Sequence, residues 1–183
     1  MPRPVNRILI SLSRLADDNE LRKWHHVDTL SSMVVSLHKS VQLAWALANN
    51  EAQIAGDDQI MPIHLILGIL KVGDASTISD IIDPSLREED WPGLLEEGRR
   101  IRQYLEMSDD HLQRARKAIR LRVRNGQHPI GNIFLHRSNE SLLAFQYAME
   151  LAVLANEEIL SASHLLQALF ERDFISTKML ACD

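Results

Sequence analysis

Apolar residues fall three and four positions apart through most of this chain, the spacing of one face of a helix. A long helix is predicted from about Val35 to Ala55, with a stripe of Val41, Ala44, Ala48, Ala52 and Ala55. Leu43, Trp45 and Leu47 widen that stripe, and its alanines allow a second helix to approach closely. Gly56 follows, at the place of a left-handed C-cap. Pro62 then fits the first turn of a second, almost wholly apolar helix, Ile63-His64-Leu65-Ile66-Leu67-Gly68-Ile69-Leu70. A shorter helix is predicted over Ser76–Ile82, stopped by Asp83-Pro84.

The pattern returns a hundred positions on, and an internal repeat outranks other readings of a sequence. The second stripe is Ala144, Ala148, Ala152 and Ala155, with Leu143 in the place of Leu43 and Phe145 in that of Trp45. Asn156 replaces Gly56, and Ser163-His164-Leu165 opens a second apolar helix. The shared identities lie on the inward stripe and the His-Leu pair, as expected of two copies of one packing unit. Ser138 is expected to cap the second long helix, with Asn139 and Glu140 in its first turn.

Residues 1–32 give a short helical pattern through Ile8, Leu9, Leu12 and Leu15, a break at Asp17-Asp18-Asn19, and a continuation through Leu21 and Trp24. Between the copies runs a connector, residues 84–134. Trp91-Pro92-Gly93 is read as a break. One helix is expected through Leu94, Leu95, Ile101 and Leu105, and another, after Ser108, through Leu112, Ala115, Ala118, Ile119 and Val123. No strand pattern stands out, so the expected fold class is all-α. It divides into an N-terminal helical extension (1–32), a first repeat (33–83), the helical connector (84–134) and a second repeat (135–183).

At 183 residues the chain can bury a substantial core. A net charge of -5 gives no general attraction to nucleic acid or to anionic membranes. No apolar run has the length of a membrane span, and the N-terminus does not read as a secretory signal. Cys182, the single cysteine, has no internal disulfide partner, which favours a reducing, cytoplasmic setting. His25, His26 and Asp28 crowd potential metal ligands together, yet adjacent histidines do not share a helix face and no fourth ligand is evident. The expectation is no metal and no cofactor.

His64 and His164 invite a reading as general acid or base. If Met61 and Ser161 are the caps, however, each ring lies at the third helical position, where it can reach back to an unpaired amide. The helix N-terminus also favours a neutral ring there. Arg114, Arg116, Lys117, Arg120, Arg122 and Arg124 form the one concentrated basic stretch. It is expected to face Glu88-Glu89-Asp90, Glu96-Glu97 or a partner's acidic patch; tracking phosphates is the alternative. No nucleophile–base set is apparent, and no enzyme activity is expected.

The long alanine-striped helix, the Gly or Asn after it, and the His-Leu that opens an apolar helix, all present twice, resemble the N-terminal repeat domain of Clp (Hsp100) ATPases. The resemblance covers about 37–82 and 135–181. It implies two pseudo-symmetric helical units packed as one domain that binds substrates or adaptor proteins for an AAA+ unfoldase. The chain has no Gly-x-x-x-x-Gly-Lys-[Ser/Thr] phosphate loop, so no ATP binding is expected of it. Whether it is part of a full Clp ATPase or a free-standing accessory protein stays open. Some bacterial relatives recognise phosphoarginine through a Thr capping the long helix and a Glu just before the shared His. Here those positions are His38 and Ile63 in the first copy, and Ser138 and Ser163 in the second. These four carry over as candidate protein-binding residues, and with neither acid kept, no tight phosphoarginine binding is expected.

Overall fold

The computed structural model describes residues 36–74, 87–123 and 135–180. Its six α-helices are α1 (Lys39–Ala55), α2 (Pro62–Gly73), α3 (Trp91–Leu105), α4 (Asp109–Val123), α5 (Asn139–Leu154) and α6 (Ala162–Glu171). The fold is all-α. The helices expected within 1–32 and over Ser76–Ile82 lie outside the described residues.

Four two-residue strands correct the expectation of none: β1 (Ser36–Leu37), β2 (Gln59–Ile60), β3 (His136–Arg137) and β4 (Ile159–Leu160). Two residues are too few to show an alternating pattern, so they leave no trace in hydrophobic periodicity. β1 pairs with β4 in parallel, and β2 with β3. Each strand lies just before a helix, so the pairings tie the start of a long helix in one half to the start of a His-Leu helix in the other. The first long helix accordingly begins at Lys39 rather than Val35, because Ser36 and Leu37 are extended.

Both long helices end as their sequences predict. Gly56 has φ 82°, and the Asp57 N–H bonds back to the Ala52 carbonyl at 3.0 Å. Asn156 takes φ 57°, and the Glu157 N–H reaches the Ala152 carbonyl at 2.8 Å. A left-handed residue followed by such a bond satisfies carbonyls that the helix leaves open.

The centre of the core is α2. An all-round apolar helix must be covered on every side, and α2 is packed by α1, α3, α4, α5 and α6. Leu65, Ile66, Ile69, Leu70 and Val72 are fully buried. Its tightest contact is with α1, where a Cβ placed on Gly68 would overlap the Ala44 carbonyl oxygen and lie 3.1 Å from the Ala48 nitrogen. Those neighbours are backbone and cannot turn aside. Gly68→Ala is therefore expected to lower stability by about 1–3 kcal/mol, the usual cost of overpacking, although alanine is the better helix former. Urea denaturation measures it, and a stabilised variant would mean that α1 and α2 are not in backbone contact.

The connector helices belong to the same core. Leu94, Ile101, Leu112 and Ile119 are fully buried against it. Trp91-Pro92-Gly93 is not a break but the opening turn of α3, with Pro92 where proline is tolerated. The two repeats are not covered equally. Leu43 is 2% exposed and Leu143 45%, and Ala155 is exposed where Ala55 is buried. Equal positions in the sequence are thus unequal in the fold: α3 lies against α1, whereas α5 packs mainly on α6 and α2. Among the described residues no helix is long and apolar enough to cross a membrane.

Candidate functional site

The candidate residues gather at the two strand crossings, in pairs the sequence does not indicate. At the first, His38 caps α1: its Nδ1 accepts the Ser40 N–H at 3.2 Å. The His38 N–H bonds to the Leu160 carbonyl at 2.8 Å, and the Ser40 hydroxyl accepts the Ala162 N–H at 3.1 Å. His38 of the first half therefore stands beside Ser161, Ala162 and Ser163 of the second. At the other crossing Ser138 caps α5, accepting the Ser141 N–H at 3.1 Å. Its own N–H and the Ser141 hydroxyl both bond to the Ile60 carbonyl, at 3.0 and 2.7 Å. Ser138 thus stands beside the start of α2, which carries half-buried Ile63. The structure groups His38 with Ser163 and Ser138 with Ile63, each pair spanning the two halves.

The sequence offers Glu97 only as a partner for the basic stretch, and the structure places it at the first crossing instead. Glu97, 3% exposed, extends from α3 and accepts the Ser163 N–H at 2.6 Å. Its carboxylate lies on the positive end of α6, where an anion is stabilised. Ser163 holds the position before His164, and the carboxylate at this helix end arrives from a residue 66 positions earlier. Nothing in local spacing marks such a contact.

Both histidines have the capping role that their position predicts. His64 Nδ1 accepts the Met61 N–H at 3.1 Å, and His164 Nδ1 accepts the Ser161 N–H at 3.2 Å. Accepting at Nδ1 places the proton of a neutral ring on Nε2. In fully buried His64, Nε2 lies 3.0 Å from Asp57 Oδ2 but off the direction of a good hydrogen bond. Burial lowers the pKa of this ring below the ordinary 6.5, opposed by the charge of Asp57. The second ring has a serine hydroxyl within reach, Ser161 Oγ at 3.1 Å from His164 Nδ1, and Glu157 at 3.7 Å from Nε2. The lone pair on Nδ1 is already engaged by the Ser161 N–H, so it does not serve as a base toward that hydroxyl.

The His64 arrangement has a pH consequence. With its folded pKa below its unfolded value, the unfolded chain binds the proton more readily. This contribution to stability is whole above about pH 6.5 and is lost as pH falls toward the folded pKa. His64→Gln, which keeps a side chain able to reach back to the Met61 amide, is expected to flatten the stability profile below pH 6.5 in denaturation at several pH values. An unchanged slope would assign the acid sensitivity elsewhere.

The basic stretch does not face the acidic residues expected of it. Arg116 Nη2 lies 2.7 Å from Asp74 Oδ2, and both side chains are buried. Arg120 forms a bidentate pair with Glu51, Nε to Oε2 at 2.8 Å. Arg114, Lys117 and Arg122 remain exposed on α4, while Arg124 is outside the described residues. The corrected partners lie in the first repeat because the buried face of α4 is laid on α2, bringing its arginines over the end of that helix. Among the described residues no three metal-ligating side chains come together; His25, His26 and Asp28 lie outside them.

Beside the first crossing an open groove of about 460 Å³ runs between α3 and α6. Arg100, Gln103 and Tyr104 line one wall, and Ser163, His164 and Gln167 the other, with Glu157 at the end. Tyr104 is 45% exposed and stacks on Phe170, with ring centres 6.4 Å apart. Charges of both signs, amides and an aromatic face suit a polypeptide more than a single small anion. No protein-family model matches this chain, and no curated protein matches it.

Proposed function

We propose that the chain is a non-catalytic protein-binding domain of the Clp N-terminal type, docking substrates or adaptors for a Clp unfoldase or protease as part of a cytoplasmic chaperone and proteolysis system. The observation that carries this reading is the unit of strand, capped long helix, strand and His-Leu helix, which occurs twice with its strands paired across the two halves. The resemblance adds the function, and the groove between α3 and α6 is where a partner's chain would lie. An accessory protein that modulates such a complex uses the same surface. Regulation through nucleic acid loses support, since Arg116 and Arg120 are engaged by Asp74 and Glu51.

Affinity capture with mass spectrometry tests the reading. Recovery of Clp ATPase or protease subunits, reduced by Tyr104→Ala or Gln167→Ala, is the expected result; recovery of nucleic acid or of no Clp component would sink it. Phosphoarginine is a separate matter. Glu97 is buried and already committed to the Ser163 N–H, and Ile63 offers no charge at the other crossing. A phosphoarginine peptide titrated calorimetrically is expected to show no saturable binding at micromolar concentration. Saturable binding would mean that Glu97 releases the helix end to a ligand.

A further inference from the structure

The second crossing holds one arginine that the fold does not account for. Arg137 on β3 is half-buried, its guanidinium carbon 5.9 Å from the centre of the Trp45 ring and 5.8 Å from that of Phe145. The two rings meet edge to face at 5.8 Å. They hold equivalent positions in the two repeats, so Trp45 of α1 and Phe145 of α5 form one aromatic wall where the halves meet. Ring faces attract a cation, but they do not replace the paired oxygen acceptors that suit a guanidinium fork. The other arginines below full exposure have such oxygens: Arg102 has the Gly73 carbonyl and Asp109, Arg116 has Asp74, and Arg120 has Glu51. Arg137 has none among the described residues. Burial pushes its pKa below the ordinary arginine value, and no described carboxylate opposes the shift.

Packing does not ask for a charge here. The first repeat carries Leu37 at the equivalent place on β1, and Leu37 packs against the core. An apolar side chain therefore serves the architecture, whereas Arg137 adds a desolvation cost that a counter-charge would offset. A partly desolvated cation without an anionic partner is a mark of a binding position. The surroundings narrow the ligand. A phosphate backbone calls for several cations along its path, and here a single guanidinium lies against aromatic rings in a chain of net charge -5. Arginine and tryptophan are also the residues that most often dominate contacts between proteins.

We infer that Arg137, Trp45 and Phe145 form a recognition site for a peptide carboxylate. The guanidinium takes the acid, and half-buried Trp45, backed by Phe145, takes the apolar side chain beside it. The site is distinct from the groove between α3 and α6, and it stands whether or not the partner is a Clp component.

Nuclear magnetic resonance of the isotope-labelled full chain tests it. The reporters are the Arg137 Nε–H and the Trp45 indole N–H, assigned by their loss in Arg137→Leu and Trp45→Phe. Three pentapeptides are the probes: Gly-Phe-Glu-Phe-Gly with both ends capped, the same peptide with Gln for Glu, and Gly-Gly-Gly-Gly-Phe with a free C-terminal carboxylate. At least one of the two acids is expected to shift both reporters saturably, and the Gln peptide to bind about tenfold more weakly or worse. The tighter of the two acids shows whether a side chain or a chain end is read. Arg137→Leu is expected to abolish the Trp45 shift and to keep the thermal midpoint at or above the parent's, since it restores the residue type of position 37. Equal binding of the Gln peptide overturns the inference and leaves an apolar contact only. So does the lack of a saturable shift with either acid, or inorganic phosphate moving both reporters as far as the peptides do. The titration of the parent chain stands without the variants, so a variant that folds poorly does not blur the result.

Discussion

Replacing Arg116 by methionine is expected to destabilise the protein by about 3–5 kcal/mol, the usual cost of removing one member of a buried ion pair. Methionine keeps most of the aliphatic stem, so the loss is chiefly electrostatic. Asp74 is fully buried at the C-terminal end of α2, at 2.7 Å from the guanidinium. Without Arg116 its charge would rest only on its remaining contacts, in surroundings where burial penalises it. Adding Asp74→Asn should restore at least about 1 kcal/mol, because a neutral amide is far cheaper to bury than a carboxylate that has lost its arginine. Arg114→Ala and Lys117→Ala, exposed on the same helix, are expected to stay within about 0.5 kcal/mol of the parent. Urea denaturation of the four variants separates these cases. An Arg116→Met cost under about 1 kcal/mol would show that the pair is solvated and that α4 is held by apolar contacts alone.

What the sequence made legible follows a physical division. The capped helices, the left-handed Gly56 and Asn156, Pro62 and the two reaching histidines are settled within a few residues of chain, so spacing reveals them. The four strands are settled by partners more than 75 residues away, and at two residues each they carry no period of their own. Glu97 on Ser163 and Arg116 on Asp74 are long-range in the same sense. A charge run shows that arginines are clustered; it does not show that every third or fourth one turns inward. The repeat shows in the sequence as identity of positions, while the difference in cover between Leu43 and Leu143 does not, because it depends on where the connector helices lie. The candidate site is the least legible part for the same reason, each of its pairs being assembled across the two halves.

That inequality between the repeats sets the second large effect. Leu65 and Leu165 occupy the same place in the two His-Leu helices, and both are fully buried. Truncating either to alanine should cost about 2–5 kcal/mol, the transfer term plus the cavity left behind. The two are not expected to be equal. Leu65 sits on α2, walled on every side by five other helices and pressed against α1 through Gly68, so its surroundings have little freedom to collapse into the space. Leu165 sits on α6, whose partner α5 has an outer face open to the described structure and can shift inward. Leu65→Ala is therefore expected near the upper end of that range and Leu165→Ala near the lower, in urea denaturation under the same conditions. Two costs under about 1 kcal/mol would refute the repeated packing unit itself. A larger cost at Leu165 would instead place the rigid centre of the core in the second repeat, and α2 would lose the central role that its burial gives it.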